Sequence, residues 1–236
     1  MIGKTEARRR GSTLLAAIAV VGVFGAMAAC SDDDDIIIPA GSVVTFADSS
    51  FDFTQLHTFA LADTVAHLVN VGVNPVPTTT AFDQTILAQV RADLLARGYV
   101  EIAEPSQTRP DFVVLTGVSA SDNYNAFITS NWFSYWGVSP IWTWLPGGVD
   151  PSWTIIYPWF NAGAIVTFQR STLIVTIVPT NAGPVVNPLL AQKEIRAVWA
   201  GVATSLLGQD NITQANVQNA INIMFQQSPY LVNSAP

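Results

Sequence analysis

The chain has 236 residues, half of them hydrophobic and only 11% charged, with ten Lys and Arg against 17 Asp and Glu for a formal net charge of −7. Nucleic-acid binding depends on Lys and Arg neutralising phosphates, so this balance argues against it. It also argues against electrostatic docking on anionic lipid. The charged fraction is less than half of the usual ~25%, so Ser, Thr, Asn and Gln must supply the polar surface.

The first element is a leader. Lys4, Arg8, Arg9 and Arg10 form a basic start, residues 14–29 are apolar or small throughout, and the only cysteine, Cys30, follows Ala28 and Ala29. That order is a secretory signal peptide. Its apolar run is short of the ~20 residues a membrane span needs. Met27-Ala28-Ala29-Cys30 resembles the lipobox of bacterial lipoproteins. The resemblance implies that residues 1–29 are removed and that Cys30 carries a diacylglycerol, whose two chains give stable membrane anchoring. The plainer alternative is a cleaved signal with an incidental buried cysteine. A lone cysteine leaves no internal disulfide.

Loss of the leader removes four basic residues and Glu6, taking the formal charge from −7 to −10. Residues 30–41 then form an acidic tether, because the four adjacent charges Asp32 to Asp35 repel and cannot pack. In proteobacterial lipoproteins a serine after the cysteine goes with the outer membrane. Ser31 therefore implies an outer-membrane protein facing the periplasm. The remaining residues, 42–236, suit one domain with a sizeable core.

Residues 42–47 are β-branched and aromatic and predict a strand, with a second extended run at 56–61. Residues 70–80 carry Gly72, Pro75 and Pro77 and predict a loop. Thr80 or Asp83 can cap a helix to Arg97, on which Ile86, Leu87, Val90, Leu94 and Leu95 form one apolar stripe. Gly98 ends it as a left-handed residue. Residues 112–120 predict a strand, and 164–178 a long one kinked at Gln169 and Arg170. A loop at 179–188 leads to an antiparallel return over 195–207. A last helix starts at 210–213 and buries Val217, Ala220, Ile221, Met224 and Phe225, with Ser228-Pro229 as its stop. The expected fold is α+β: a mostly antiparallel β-sheet with two helices packed on one face.

The segment 131–160 does not fit that pattern. It holds Trp132, Trp136, Trp142, Trp144, Trp153 and Trp159, with Tyr135 and Tyr157, and four prolines break it. It is expected to be a structured loop or short strand pieces. Three roles fit it. The loop can cover the domain's own core, present a partner or ligand surface, or settle at lipid headgroup level. Trp199 lies apart and is expected in the core.

Chemistry is sparse. His57 and His67 are the only histidines and have no metal-ligand spacing, so no metal is expected. No nucleotide-binding or hydrolase motif is present and no cofactor is implied. A triad would need one of these histidines with Asp52 or Asp63. Paired carboxylates would come from Asp111, Asp122 and Asp150. Turn roles explain Asp111 and Asp122 better.

Five strings together resemble a family. These are residues 51–59 (FDFTQLHTF), 95–99 (LARGY), 110–114 (PDFVV), 171–175 (STLIV) and 198–202 (VWAGV). Their order and spacing are similar to the bacterial lipoproteins grouped as domain of unknown function 4136. Ser171 stands where that family usually has glycine, and Ala200 where it usually has a basic residue. The resemblance implies an envelope lipoprotein with an α+β fold and no established activity. The expected role is a non-catalytic interaction module tied to the membrane, with an envelope protein or glycan as partner. The alternatives are a glycan-binding or glycan-cleaving protein that uses the tryptophans, or a lipid-binding one.

Overall fold

The computed structural model describes residues 36–68, 79–103, 108–119, 124–125, 154–159, 166–168, 171–181, 185–186, 193–208 and 211–233. Its elements in order are β1 (Ile36–Ile37), β2 (Val43–Ala47), β3 (Thr58–Leu61), β4 (Ala66–Leu68), α1 (Asp83–Ala96), β5 (Val100–Glu101), β6 (Phe112–Ser119), β7 (Tyr124–Asn125), β8 (Thr154–Ile156), β9 (Val166–Phe168), β10 (Leu173–Pro179), β11 (Val185–Val186), β12 (Lys193–Arg196), β13 (Trp199–Ala203) and α2 (Gln214–Gln226). No helix among the described residues is long and apolar enough to cross a membrane.

Seven strands form the main sheet, in the order β2-β13-β10-β6-β3-β5, with β4 also paired to β6. The β2, β13, β10 and β6 ladders are antiparallel. Strands β3, β4 and β5 join in parallel. The sheet is therefore mixed, mostly antiparallel by length of ladder, rather than purely antiparallel. Parallel pairing follows from connectivity. Leaving β3, the chain runs through α1 before it returns as β5, and a helical crossover brings the next strand back in the same direction.

Strand side chains alternate between two clusters. Phe59, Leu61, Phe112, Val114, Val118, Leu173, Val175, Ile177, Trp199 and Ala203 share one with the buried residues of α1 and α2. Ala60, Val113, Leu115, Ile174, Val178, Ala200 and Val202 belong to the other, with Ile155, Tyr157, Ile195 and Ala197. Every residue of β6 and of β10 is buried in consequence. Strands covered on both faces read as continuous apolar runs, as these do.

The helix ends follow local chemistry. Gly98, at φ +85°, lets its N–H reach the Leu95 carbonyl while Tyr99 N–H reaches that of Leu94. This is a Schellman closure, with Tyr99 and Leu94 buried against the same core. Thr213 caps α2 through a reciprocal pair with Asn216. At the start of α1 the expected side-chain cap is absent: Phe82 is the cap residue, and Asp83 is the first helical residue. The α1 stripe holds at Ile86, Leu87, Val90 and Leu94, but Leu95 is 48% exposed.

Three expectations are corrected. The run 164–178 is two strands in different sheets: β9 pairs with β1 and β7, and β10 lies in the main sheet. Ahead of β10, Ser171 takes φ +65°, a left-handed conformation that departs from an extended strand. The return over 195–207 divides likewise, because β12 pairs in parallel with β8 and only β13 returns along β10. The loop expected at 179–188 gives Pro179 to β10 and 185–186 to β11. The kink residues Gln169 and Arg170, and 70–78 of the loop expected after β4, lie outside the described residues.

Candidate functional site

The lipidation candidate Cys30, and Trp132, Tyr135, Trp136, Trp142, Trp144 and Trp153 of the aromatic segment, lie outside the described residues. Tyr157 and Trp159 are described. They follow β8, whose parallel pairing with β12 sets Ile155 beside Ile195. The Ala197 N–H then bonds the Ile156 carbonyl at 2.9 Å and holds the end of this short ladder. The main sheet's second face thus gains a cover in which Ile155, Ile195 and Ala197 are at most 1% exposed.

Tyr157 points into that cover. It is 4% exposed, and its hydroxyl lies 3.1 Å from Thr176 Oγ1, so two buried hydroxyls satisfy one another. Trp159 is half-buried and stacks on Phe46 of β2, with ring centres 6.1 Å apart and planes 4° from parallel. Its other neighbour is Tyr157, edge to face at 5.5 Å. Of the eight aromatics considered as a surface, Tyr157 is therefore a core residue here. Trp159 bridges core and rim, and Trp199 is wholly buried, as expected.

The candidate acid–base groups that are described hold structural contacts. His57 Nδ1 lies 2.7 Å from the Asn233 side-chain oxygen. Asp52 caps the 3-10 turn Phe53–Gln55 and bonds the Thr54 hydroxyl at 2.6 Å. Those bonds to Thr54, then the one from Gln55, hold its carboxyl below the ordinary aspartate value. Asp63 is exposed. Asp111 accepts the N–H groups of His57 and Thr58 at 3.0 and 2.8 Å and the Thr58 hydroxyl at 2.9 Å, which locks the start of β3 to that of β6. This pairing gives a structural reason for the strings at 51–59 and 110–114. Asp122 and Asp150 lie outside the described residues.

His67 sits on β4, with Nε2 3.1 Å from Asp83 Oδ2 at the first turn of α1. The second Asp83 oxygen is buried without a hydrogen-bond partner. Among the described residues no three His, Cys, Asp or Glu side chains are grouped to hold a metal ion.

Two polar clusters lie apart from the candidate site residues. Arg97 reaches the carbonyls of Phe225, Ser228 and Leu231 while its guanidinium lies 5.4 Å from the Phe225 ring centre. It neutralises the carbonyl-rich end of α2. Asp48 meets Arg196 at 2.6 Å and the Ser50 amide at 3.0 Å. Burial alone would raise its carboxyl, but the bonds from Ser50 and then the guanidinium outweigh it and hold it below the ordinary value. The Tyr99 hydroxyl, buried and without a hydrogen-bond partner, is pushed up to about 12 by desolvation, with Arg97 opposing.

These features define a two-helix, mixed-sheet α+β domain. The sequence profile of a domain of unknown function, DUF4136, matches residues 43–230, and the chain belongs to that family. A crystal structure of a DUF4136 family protein from Bacteroides thetaiotaomicron is 24% identical. It covers 82% of this chain and 98% of its own, with a TM-score of 0.54, and shows the same fold. The PelC dodecamer from Paraburkholderia phytofirmans aligns over 82% of this chain and 100% of its own at 10% identity and a TM-score of 0.37. A PDZ domain protein from Parabacteroides distasonis aligns over 80% of this chain and 35% of its own at 14% identity and a TM-score of 0.38. No functionally curated protein matches.

Proposed function

We propose that the chain is a lipid-anchored bacterial envelope protein, held at the outer membrane and facing the periplasm through Cys30. In this reading its domain is a non-catalytic module that binds another envelope component. The observation that carries the reading is the sequence around Cys30: a basic and apolar leader, Met27-Ala28-Ala29 before the cysteine, and four aspartates after Ser31. The DUF4136 match beginning at residue 43, just beyond the tether, is consistent with it.

Intact-mass analysis of the mature protein tests the anchor. The expected product begins at Cys30 and carries the diacylglycerol mass, and Cys30→Ala leaves an unlipidated chain in the detergent-free fraction. A bare thiol at Cys30 in wild type overturns the anchor. Partner capture from envelope extracts tests the module, with the double variant Trp136→Ala/Trp142→Ala expected to lose the partner. Equal recovery by wild type and variant overturns the role of the aromatic segment. A tryptophan fluorescence shift with peptidoglycan fragments would favour the glycan reading instead.

A further inference from the structure

The point where the tether meets the fold sets how the domain stands on a membrane. From Ile36 the backbone is fixed, because β1 pairs with β9. Ile38 is 5% exposed and lies in the cluster on the sheet's second face. Thr204 then clamps the next residues: the Gly41 N–H bonds its carbonyl at 3.0 Å, the Ser42 N–H its Oγ1 at 3.0 Å, and its own N–H the Ser42 carbonyl at 2.9 Å. This clamp sits at one end of the main sheet, where Val43 pairs with Ala203, Ala203 with Leu173, and Leu173 with Val118.

The other end is formed by Ala47, Trp199, Pro179, Phe112, Thr58 and Val100. The large hydrophobics that stand exposed among the described residues all gather there: Leu95, Val100, Tyr230 and Val232, at 39–55% exposure. Asn233 holds the tail against the α1 terminus, through Arg97 O and Gly98 O. Tyr230 packs 5.0 Å from the Phe53 ring.

Five residues separate Cys30 from Ile36, six chain steps with a reach of at most about 20 Å when fully extended. The seven residues of β10 span roughly the same length at about 3.3 Å each. A tether no longer than the sheet cannot bring the far end to the lipid without lying along the whole domain. We propose that the sheet end clamped by Thr204 is apposed to the lipid headgroups. The end bearing Leu95, Val100, Tyr230 and Val232 then faces the aqueous compartment. The inference rests on attachment through Cys30.

The test uses full-length lipidated protein in phosphatidylcholine vesicles that carry a nitroxide on the headgroup. Fluorophores are placed on Ala40→Cys or Val232→Cys, both at exposed positions and each the only free thiol once Cys30 is a thioether. Quenching several-fold stronger at position 40 than at 232 is expected, with unchanged melting curves. Flotation with the vesicles but equal quenching, or stronger quenching at 232, overturns the orientation alone. Failure to float removes the anchor and the orientation together.

Discussion

The two faces of the main sheet are covered by different means. Against the helices lie the large side chains Phe59, Phe112, Trp199 and Phe225, and the helix residues recur at three- and four-residue intervals. On the second face Ala60, Ala66 and Ala200 stand among Leu68, Leu115, Ile174, Val178 and Val202, with Ile155, Tyr157 and Ile195 on the segment that closes over them. The first face is thus built from elements with a strong period, and the second from strand pieces of two to four residues.

The sharpest test sets one tryptophan from each face against the other. Trp199 is 0% exposed, stacks on Phe225 at 5.5 Å and donates its indole N–H to the Ser228 hydroxyl at 2.8 Å. Trp199→Ala is expected to cost about 3–5 kcal/mol. Trp159→Ala, at a half-buried site, should cost about 1–2 kcal/mol. Urea midpoints of the two variants measure both. Equal losses would mean that the second cover contributes as much to the fold as the helices do.

A second test concerns how closely α2 approaches the sheet. A Cβ on Gly201 would stand 2.7 Å from Met224 Sδ and 2.8 Å from Trp199 Cη2. The thioether can swing away, but the stacked indole cannot. Gly201→Val is expected to lose about 1–3 kcal/mol by overpacking, read as a lower melting temperature. A neutral result would show that α2 can lift from β13 without cost.

The same contrast explains what could be read in the sequence. Both helices, Gly98 as the left-handed stop, and strands β2, β6 and β13 follow from periodicity and turn chemistry. The mixed sheet was hidden because Phe112–Ser119 is apolar on both faces, which leaves neither its partners nor their direction visible. Strand β4 was hidden by its three residues, and the split of 164–178 by a serine in a glycine conformation. The site was less legible than the fold. Tyr157 looked like its aromatic neighbours, and only pairing of β8 with β12, forty residues on, turns it inward. Asp111 as a turn residue was legible from Pro110. The ion pair of Asp48 with Arg196 was not, since no local pattern joins residues so far apart.

That pair, at the edge of the second face, gives a pH-dependent prediction. The Asp48 carboxyl is held below the ordinary value of 3.8 in the folded state. The folded chain therefore releases this proton more readily than the unfolded one. The resulting stability is present above pH 3.8 and lost as pH falls through the lower folded value. Asp48→Asn should cost about 1–2 kcal/mol at pH 7, and the difference from wild type should shrink below pH 4. Denaturant melts at the two pH values measure it. A constant difference would assign the cost to hydrogen-bond geometry rather than charge.

The smallest expected effect has the opposite sign. Ser171 lies just ahead of β10, its N–H on the Ser119 carbonyl at 2.7 Å and its own carbonyl accepting from Leu207 N–H at 3.1 Å. It holds φ +65° although it carries a Cβ, at the position where the family resemblance sets glycine. The left-handed conformation costs an L-residue roughly 1–2 kcal/mol, and glycine escapes that strain but loses more chain entropy on folding. The net expectation for Ser171→Gly is a gain of about 0.5–1 kcal/mol, seen as slower unfolding and a higher urea midpoint. A loss would mean that the serine side chain stabilises the turn by more than its backbone strain costs. The left-handed turn ahead of β10 would then be specific to this chain rather than a glycine turn with a tolerated substitution.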